Sequence, residues 1–277
     1  MTRKQRMLLL RAGCVAAACL ALSAAACKPA AAPTTISPAA AAALPTESQD
    51  SPTEPQEPPR PSIHFTFAGP VTESGIPADW SSTVSAGKLQ IKVVPPDEET
   101  GSAIHGGASP QERLPDDASA LWMRSERASF LLTNRREFDV ATYPVLRWSW
   151  QAKVLPIDGD VRKNAILFGE NSNDQAIQLL VVFEGQKVLS FVWDSTAPVG
   201  TEVDEPSPLA AVKTRVIDSG SDHVGTWQHH EIHLDKEYRR RFDQAPGKVM
   251  GVIVQSNSNH TKSVGEGMIR GITVSAE

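Results

Sequence analysis

The sequence predicts an all-β fold: a two-sheet antiparallel β-sandwich, jelly-roll-like, with one short helix. Three observations carry that prediction. Short runs rich in Val, Ile, Phe and Trp recur between clusters of Gly, Pro, Asn and Asp, as strands do between turns. The stretch YPVLRWSWQAKVLP (143–156) alternates apolar and polar residues with period two. The stretch VVFEGQKVLSFVW (181–193) reads as a hairpin turning at Glu184-Gly185-Gln186. About a dozen strands in a domain of about 215 residues must pack as two sheets.

The chain begins with a segment that reads as a Sec-type signal peptide, residues 1–26. Arg3, Lys4, Arg6 and Arg11 form a positive start without an acid, and the apolar stretch Ala12–Ala26 follows. That stretch falls short of the about 20 residues a membrane span needs. All three cysteines fall inside this segment or directly after it: Cys14, Cys19 and Cys27. ALSAAACKP resembles a bacterial lipobox and makes Cys27 the expected lipidation site; Ala24 stands where that pattern prefers a Leu-like residue. Cys19 would leave an apolar region of only about 8 residues. A plain secretory signal cleaved near Ala26 is the alternative. Lys28 follows the cysteine directly, with no Asp to retain a lipoprotein at the inner membrane, which favours an outer-membrane anchor facing the periplasm.

Residues 27–62 are dominated by Pro, Ala, Thr and Ser and lack aromatics, the composition of a disordered tether. Residues 63–277 form the sandwich domain, which has no cysteine and therefore no disulfide. The formal charge of the chain is −5, and loss of residues 1–26, with four cations and no acid, takes it to −9. Nucleic acid and an anionic lipid surface are poor partners for such a charge.

Within the domain the strands expected in order are Ile63–Ala68, Lys88–Val94, Ala120–Arg124, Ser129–Thr133, Val145–Val154, Ala165–Phe168, Ala176–Phe183, Val188–Trp193, Val212–Ile217, Trp227–Leu234, Val249–Gln255 and Met268–Val274. Ala176–Phe183 is apolar on both faces and should be a central, covered strand. One or two helical turns are expected at Lys236–Phe242, with Asp235 as N-cap. In the 143–156 stretch, Leu146, Trp148, Trp150, Ala152 and Val154 share one face and belong to the core. Arg147, Ser149, Gln151 and Lys153 share the other, where a ligand could be met.

Several pieces together resemble a bacterial family of exported proteins known as the domain-of-unknown-function family 3047. They are YPVLRWSWQAKVLP, IQLLVVFEG followed by LSFVWDSTAPVG, VKTRVIDSG, GTWQHHEIHLDKEYRRRF and MGVIVQSNSNHT ahead of GMIRGITV, covering most of the chain from about Trp80 to Val274. The resemblance implies a fold and an exported setting, and no reaction. It also marks two departures: Asn173-Asp174 stands where the family tends to an Asp-Asp pair, and Ser256–Thr261 where it tends to an Asp-rich loop.

The polar loops GENSNDQ (169–175) and QSNSNHT (255–261) are the other candidate ligand groups, since amides and hydroxyls both donate and accept. The expected ligand-binding set is Arg147, Ser149, Gln151, Asn173, Asp174, Gln178, Asn257, Asn259 and Thr261. A calcium site at Glu170 and Asp174 would have few acids, and a strand site at His229, Glu231 and His233 lacks a further ligand motif. No metal or other cofactor is expected. Arg239-Arg240-Arg241 reads as a solvated helix face. No nucleophile elbow, reactive cysteine or phosphate loop appears, and no catalytic residue is assigned. These features favour a non-catalytic binding module for a saccharide or other polar envelope ligand. An envelope scaffold contacting another protein, or a glycan-acting hydrolase, are the alternatives.

Overall fold

The computed structural model describes residues 61–96, 119–165, 170–205 and 209–276. The predicted signal segment, Cys27 and the tether up to residue 60 lie outside the described residues. So do positions 166–168 of the expected strand Ala165–Phe168.

Fifteen strands and one helix follow in order: β1 (Ser62–Phe65), β2 (Ser81–Ala86), β3 (Ile91–Val94), β4 (Ala120–Glu126), β5 (Ser129–Asn134), β6 (Val145–Val154), β7 (Asp160–Asn164), β8 (Asn171–Ser172), β9 (Gln178–Phe183), β10 (Lys187–Asp194), β11 (Glu202–Glu205), β12 (Ala211–Ser219), β13 (Gln228–His233), α1 (Leu234–Phe242), β14 (Val249–Asn257) and β15 (Val264–Ser275). They build a six-stranded sheet ordered β13-β6-β15-β4-β3, with β1 also on β15, a seven-stranded sheet ordered β11-β12-β10-β9-β14-β5-β2, and a small two-stranded sheet of β7 and β8. The β9–β10 hairpin forms as the sequence predicts, with Gly185 and Gln186 both at positive φ (71° and 60°) in its turn. β9 is central and buried throughout. Pairing is antiparallel except between β10 and β12, which run parallel and make the second sheet mixed. The short strands β2 and β11, polar or acidic and lying at the sheet edges, escape the sequence pattern.

The core lies between the sheets. Leu146, Trp148, Trp150 and Ala152 of β6 all point into it, with Trp148 and Trp150 at 1% and 0% exposure. Their rings meet edge-on at 5.4 Å, and Trp148 stacks on Phe191 of β10 at 5.5 Å. The Trp150 indole N–H donates to Asp218 Oδ2 of β12 (2.5 Å), and the same oxygen lies 2.7 Å from His230 Nε2 of β13.

The helix starts two residues earlier than expected and is capped by His233, whose ring nitrogen accepts from Lys236 N (3.4 Å). Asp235 is instead a first-turn acid, paired with Arg239 one turn on. Leu234 and Tyr238 bury one face of α1, Tyr238 against Phe183 (4.5 Å between rings). The arginine run is a solvated face only in part: Arg239 and Arg240 are exposed, but Arg241 is not. Arg240 and Arg241 both engage Glu202 of β11, and Arg241, only 9% exposed at its side chain, also reaches Asp204. An acidic edge strand beside the helix turns these cations into a clamp, and Arg240 holds the Glu202 carboxyl below its usual range.

Gly251 sits in the bulge where β14 shifts register against β9, at φ +149°, and a Cβ there would lie 2.3 Å from the Asn134 carbonyl oxygen. Gly251→Ala should therefore lower stability by roughly 2–4 kcal/mol in urea unfolding. Gly200→Ala, at φ +82° but with open space around it, should cost only about 1 kcal/mol.

Candidate functional site: the outer face of the six-stranded sheet

With Leu146, Trp148, Trp150 and Ala152 of β6 in the core, Arg147, Ser149 and Gln151 face outward, as their alternation predicts; Val154, expected in the core, is 38% exposed instead, beyond a register shift that sets it opposite Glu266. Neighbouring strands supply the rest of this face. Strand register sets Arg124 of β4 opposite Glu266 of β15, and Trp122 opposite Met268. Met268 is in turn opposite Gln151, Arg270 opposite Ser149, and Thr273 opposite Arg147. On the far side β13 sets His229 against Ser149 and Glu231 against Arg147. Trp227, one residue before β13, comes level with Gln151.

Each polar group on this face is held by a neighbour. Arg147 Nε donates to Glu231 (2.8 Å) and its terminal nitrogen to Ser275 Oγ (2.7 Å). Ser149 Oγ lies 2.7 Å from His229 Nδ1. Gln151 donates to the Gly225 carbonyl, whose own N–H donates to Ala152 O (2.8 Å), so the turn that presents Trp227 is stapled to β6. The Arg270 guanidinium lies over the Trp227 ring at 4.2 Å. Trp122 Nε1 donates to one Glu266 oxygen (2.9 Å) while Arg124 donates to the other (2.6 Å). Trp122 and Trp227 are both half-buried, with part of each ring reaching solvent. Three strand spacings separate them, about 14 Å.

Arg124 and Arg147 on this face are each paired with an acid. Burial pushes the Glu266 carboxyl up, but the Trp122 and Arg124 hydrogen bonds outweigh it and hold the group below its usual range. Burial, followed by the nearby charges of Arg270 and His230, pushes the His229 imidazole down, which keeps it neutral near pH 7. Ser149 is 1% exposed, so the Ser149–His229 contact orients side chains and offers no accessible nucleophile. Among the described residues no group of three or more His, Cys, Asp or Glu is placed to hold a metal ion. His229 and Glu231 are instead spent on Ser149 and Arg147, and Glu170 on Lys163 (3.0 Å).

The remaining six predicted ligand residues lie elsewhere, on the other sheet and its loops, so the nine do not form one site. Asp174 is fully buried and accepts from Thr261 N (2.7 Å) and Asn257 Nδ2 (3.0 Å), with His260 Nδ1 at 3.2 Å. Asn257 also accepts from Gln175 N (3.1 Å) and donates to Asn173 O (2.7 Å). The two polar loops meet, but they meet to bind one another. Gln178 is 3% exposed and donates to Ser190 Oγ (2.7 Å). Among the described residues Asn259 Oδ1 is buried without a hydrogen-bond partner, and Lys262 holds the Asn259 carbonyl (2.7 Å).

Gln178 belongs to a polar row on the outer side of the seven-stranded sheet. Gln255 of β14 is opposite Gln178, Ser190 of β10 is opposite Thr214 of β12, and Thr214 donates to Glu205 of β11. Burial pushes the Glu205 carboxyl up despite hydrogen bonds from Thr214 and Asn173. Sequence reading missed Trp122, Trp227 and Arg270 on one sheet, and Ser190, Glu205, Thr214 and Gln255 on the other. Period-two alternation marks the side of the strand each takes, but only register shows that they are neighbours.

The fold and this face define a β-sandwich with one polar sheet face that carries two half-buried tryptophans, where Ser149, Met268 and Arg270 are buried and His229 and Glu231 exposed. The chain belongs to the family described as protein of unknown function (DUF3047), whose model matches residues 111–273. No curated protein matches it. Among solved structures it is similar to TmCBM61 in complex with beta-1,4-galactotriose (12% identity, 76% of this chain and 98% of that one, TM-score 0.33). It is also similar to a family 11 carbohydrate-binding module from Clostridium thermocellum in complex with a mixed-linked tetrasaccharide (12%, 77% and 94%, 0.35). A third is the family 11 xylanase from Neocallimastix patriciarum (9%, 78% and 95%, 0.32). At these identities the likeness concerns the fold.

Two outcomes check the roles assigned above. Asp174→Ala strips a buried backbone N–H and an amide of their acceptor and should cost about 2–4 kcal/mol, whereas Glu231→Ala, in an exposed pair, should cost no more than about 1 kcal/mol. Because the folded-state pKa of Glu266 is depressed, its stabilisation is complete above its unfolded value and is lost as pH falls through the folded one. The difference in urea midpoint between the wild type and Glu266→Gln should therefore be largest above about pH 5 and shrink towards pH 3.

Proposed function

We propose that the protein is a lipid-anchored, non-catalytic module that binds a saccharide of the cell envelope on the outer face of its six-stranded sheet. The observation that carries this reading is the pair of half-buried tryptophans, Trp122 and Trp227, at opposite ends of one row across the strands. Indole faces take the C–H side of sugar rings, and the amide, imidazole and guanidinium groups between and beside them bond to hydroxyls. A span of about 14 Å suits an oligosaccharide better than one ring.

The carboxylates argue for binding without hydrolysis. A glycosidase needs two carboxyl groups about 5–9.5 Å apart, one with a raised pKa. On this face Glu231 stands level with Arg147 and Glu266 with Val154, seven residues along β6, roughly 20 Å away. Both are ion-paired, and Glu266 is held ionised. The two acids with raised pKa, Asp194 and Glu205, belong to the other sheet; Asp194 has Asp160 as a neighbouring acid, but both are buried, Asp194 accepting from the backbone N–H groups of Val161, Thr196 and Ala197 and Asp160 paired with Arg162. Glu205 stands level with Val212 and Val188, six residues from Asp194 along β10, again roughly 20 Å away.

Calorimetric titration of envelope oligosaccharides should give binding that weakens roughly tenfold in Trp122→Ala and in Trp227→Ala, with the circular dichroism unchanged. Absence of binding to every oligosaccharide, or undiminished binding in both variants, would sink the reading. For the anchor, Cys27→Ser should abolish palmitate labelling and release the protein from membranes; labelling that persists refutes Cys27 as the site.

A further inference from the structure

At the edge of the sandwich, where β1 of one sheet approaches the end of β5 of the other, a cavity of about 340 Å³ is lined by His64, Thr66, Asp79, Asn134, Arg135 and Arg136. Its volume is at the small end of the range for ligand pockets, the size for one sugar ring or less. Two guanidiniums and an imidazole line it against a single acid, Asp79, although the chain as a whole is net negative.

Among the described residues, Asn134 and Thr66 each keep a donor beyond the hydrogen bonds made in the cavity walls. Asn134 is 6% exposed, and its Oδ1 is occupied by Arg136 N (3.0 Å), so its Nδ2 is the group left to the cavity. Thr66 Oγ1 accepts from Ala68 N (3.0 Å), which frees its hydroxyl proton to donate. Arg136 spends its backbone N–H on Asn134, leaving its guanidinium on the lining. Arginine forks match planar and tetrahedral oxyanions in bidentate geometry.

The cavity also adjoins the sheet face described above. His64 Nδ1 lies 3.2 Å from Thr273 Oγ1, and Thr273 stands opposite Arg147 in the strand register. We infer that this cavity binds an oxyanion, the carboxylate of a uronic acid or a phosphoryl group, carried by the same saccharide that lies on the sheet face. In assigning the anion to that saccharide, the inference rests on the function proposed above; the anion site itself stands on the cavity.

The test uses the mature full-length protein and small probes that cannot span the sheet face. Glucuronate, glucose, glucose 1-phosphate and inorganic phosphate are titrated while the imidazole NMR signals of His64 are followed. Glucuronate or glucose 1-phosphate should shift those signals and glucose should not, with the larger effect naming the anion. Arg135→Gln/Arg136→Gln should weaken the preferred probe at least about tenfold, and Asp79→Asn should not weaken it. Inorganic phosphate acting as strongly as either sugar acid would mean an adventitious ion only and overturn the proposal. So would the absence of any shift with both sugar acids, or a shift that survives the double arginine substitution. Failure of the sheet-face reading shows separately, as oligosaccharide binding indifferent to Trp122→Ala and Trp227→Ala while the glucuronate or glucose 1-phosphate shift persists.

Discussion

One carboxylate joins the two sheets across the core. Asp218, on β12 of the seven-stranded sheet, takes the indole N–H of Trp150 from β6 and lies against the ring nitrogen of His230 from β13. Both of those strands belong to the other sheet. A buried acceptor is costly to leave without donors, so the arrangement fixes the sheets relative to each other and the register of β13 on β6 together. His230 packs within 5.2 Å of Trp148 and 5.4 Å of Trp150, which holds it inward. With His230 inward, Trp227, His229 and Glu231 must project from the opposite side. The composition of the outer face follows from a contact made inside.

Much of the fold was legible because burial imposes a period. Trp148 and Trp150 could be assigned to the core and Arg147, Ser149 and Gln151 to the surface from alternation alone. The β9–β10 hairpin announced itself through its glycine turn. What escaped was whatever had no apolar period to impose: β2 is largely exposed, and β11 is stabilised by ion pairs to α1. The parallel pairing of β10 with β12 is equally silent in sequence, since parallel and antiparallel partners demand the same alternation of a covered strand.

The loops containing Asn173, Asp174, Asn257 and Thr261 show why composition misleads about binding. Amides and carboxylates suit a ligand's hydroxyls, and for the same reason they suit one another. Asp174 satisfies a backbone N–H and an amide, and that demand is enough to account for its presence. The polar row from Gln255 to Glu205 is a different case. Ser190 lies between Val188 and Val192, and Thr214 between Val212 and Val216, so single polar residues interrupt otherwise apolar strand faces. They fall side by side, and Thr214 meets Glu205, so the row gives a buried carboxyl its donor. Gln255 Oε1 is the exception, buried without a hydrogen-bond partner among the described residues.

Charge pairing separates the two ligand surfaces from the rest of the molecule. On the sheet face Arg147 is matched by Glu231 and Arg124 by Glu266, and the Arg270 guanidinium lies over the Trp227 ring, so the charges are held by neighbours. Such a surface recognises hydroxyls by geometry and gains little from a charged ligand, whose desolvation it would not offset. A short distance away, across the His64–Thr273 contact, the balance changes to two arginines against Asp79. A neutral chain carrying one acidic unit would complement both at once, with ring faces on the tryptophans and the anion at the sandwich edge. The net negative charge of the chain adds a long-range repulsion against polyanions, so a ligand of low charge density is favoured over a densely charged one. Such a ligand would satisfy the local cations without crossing a large repulsive field.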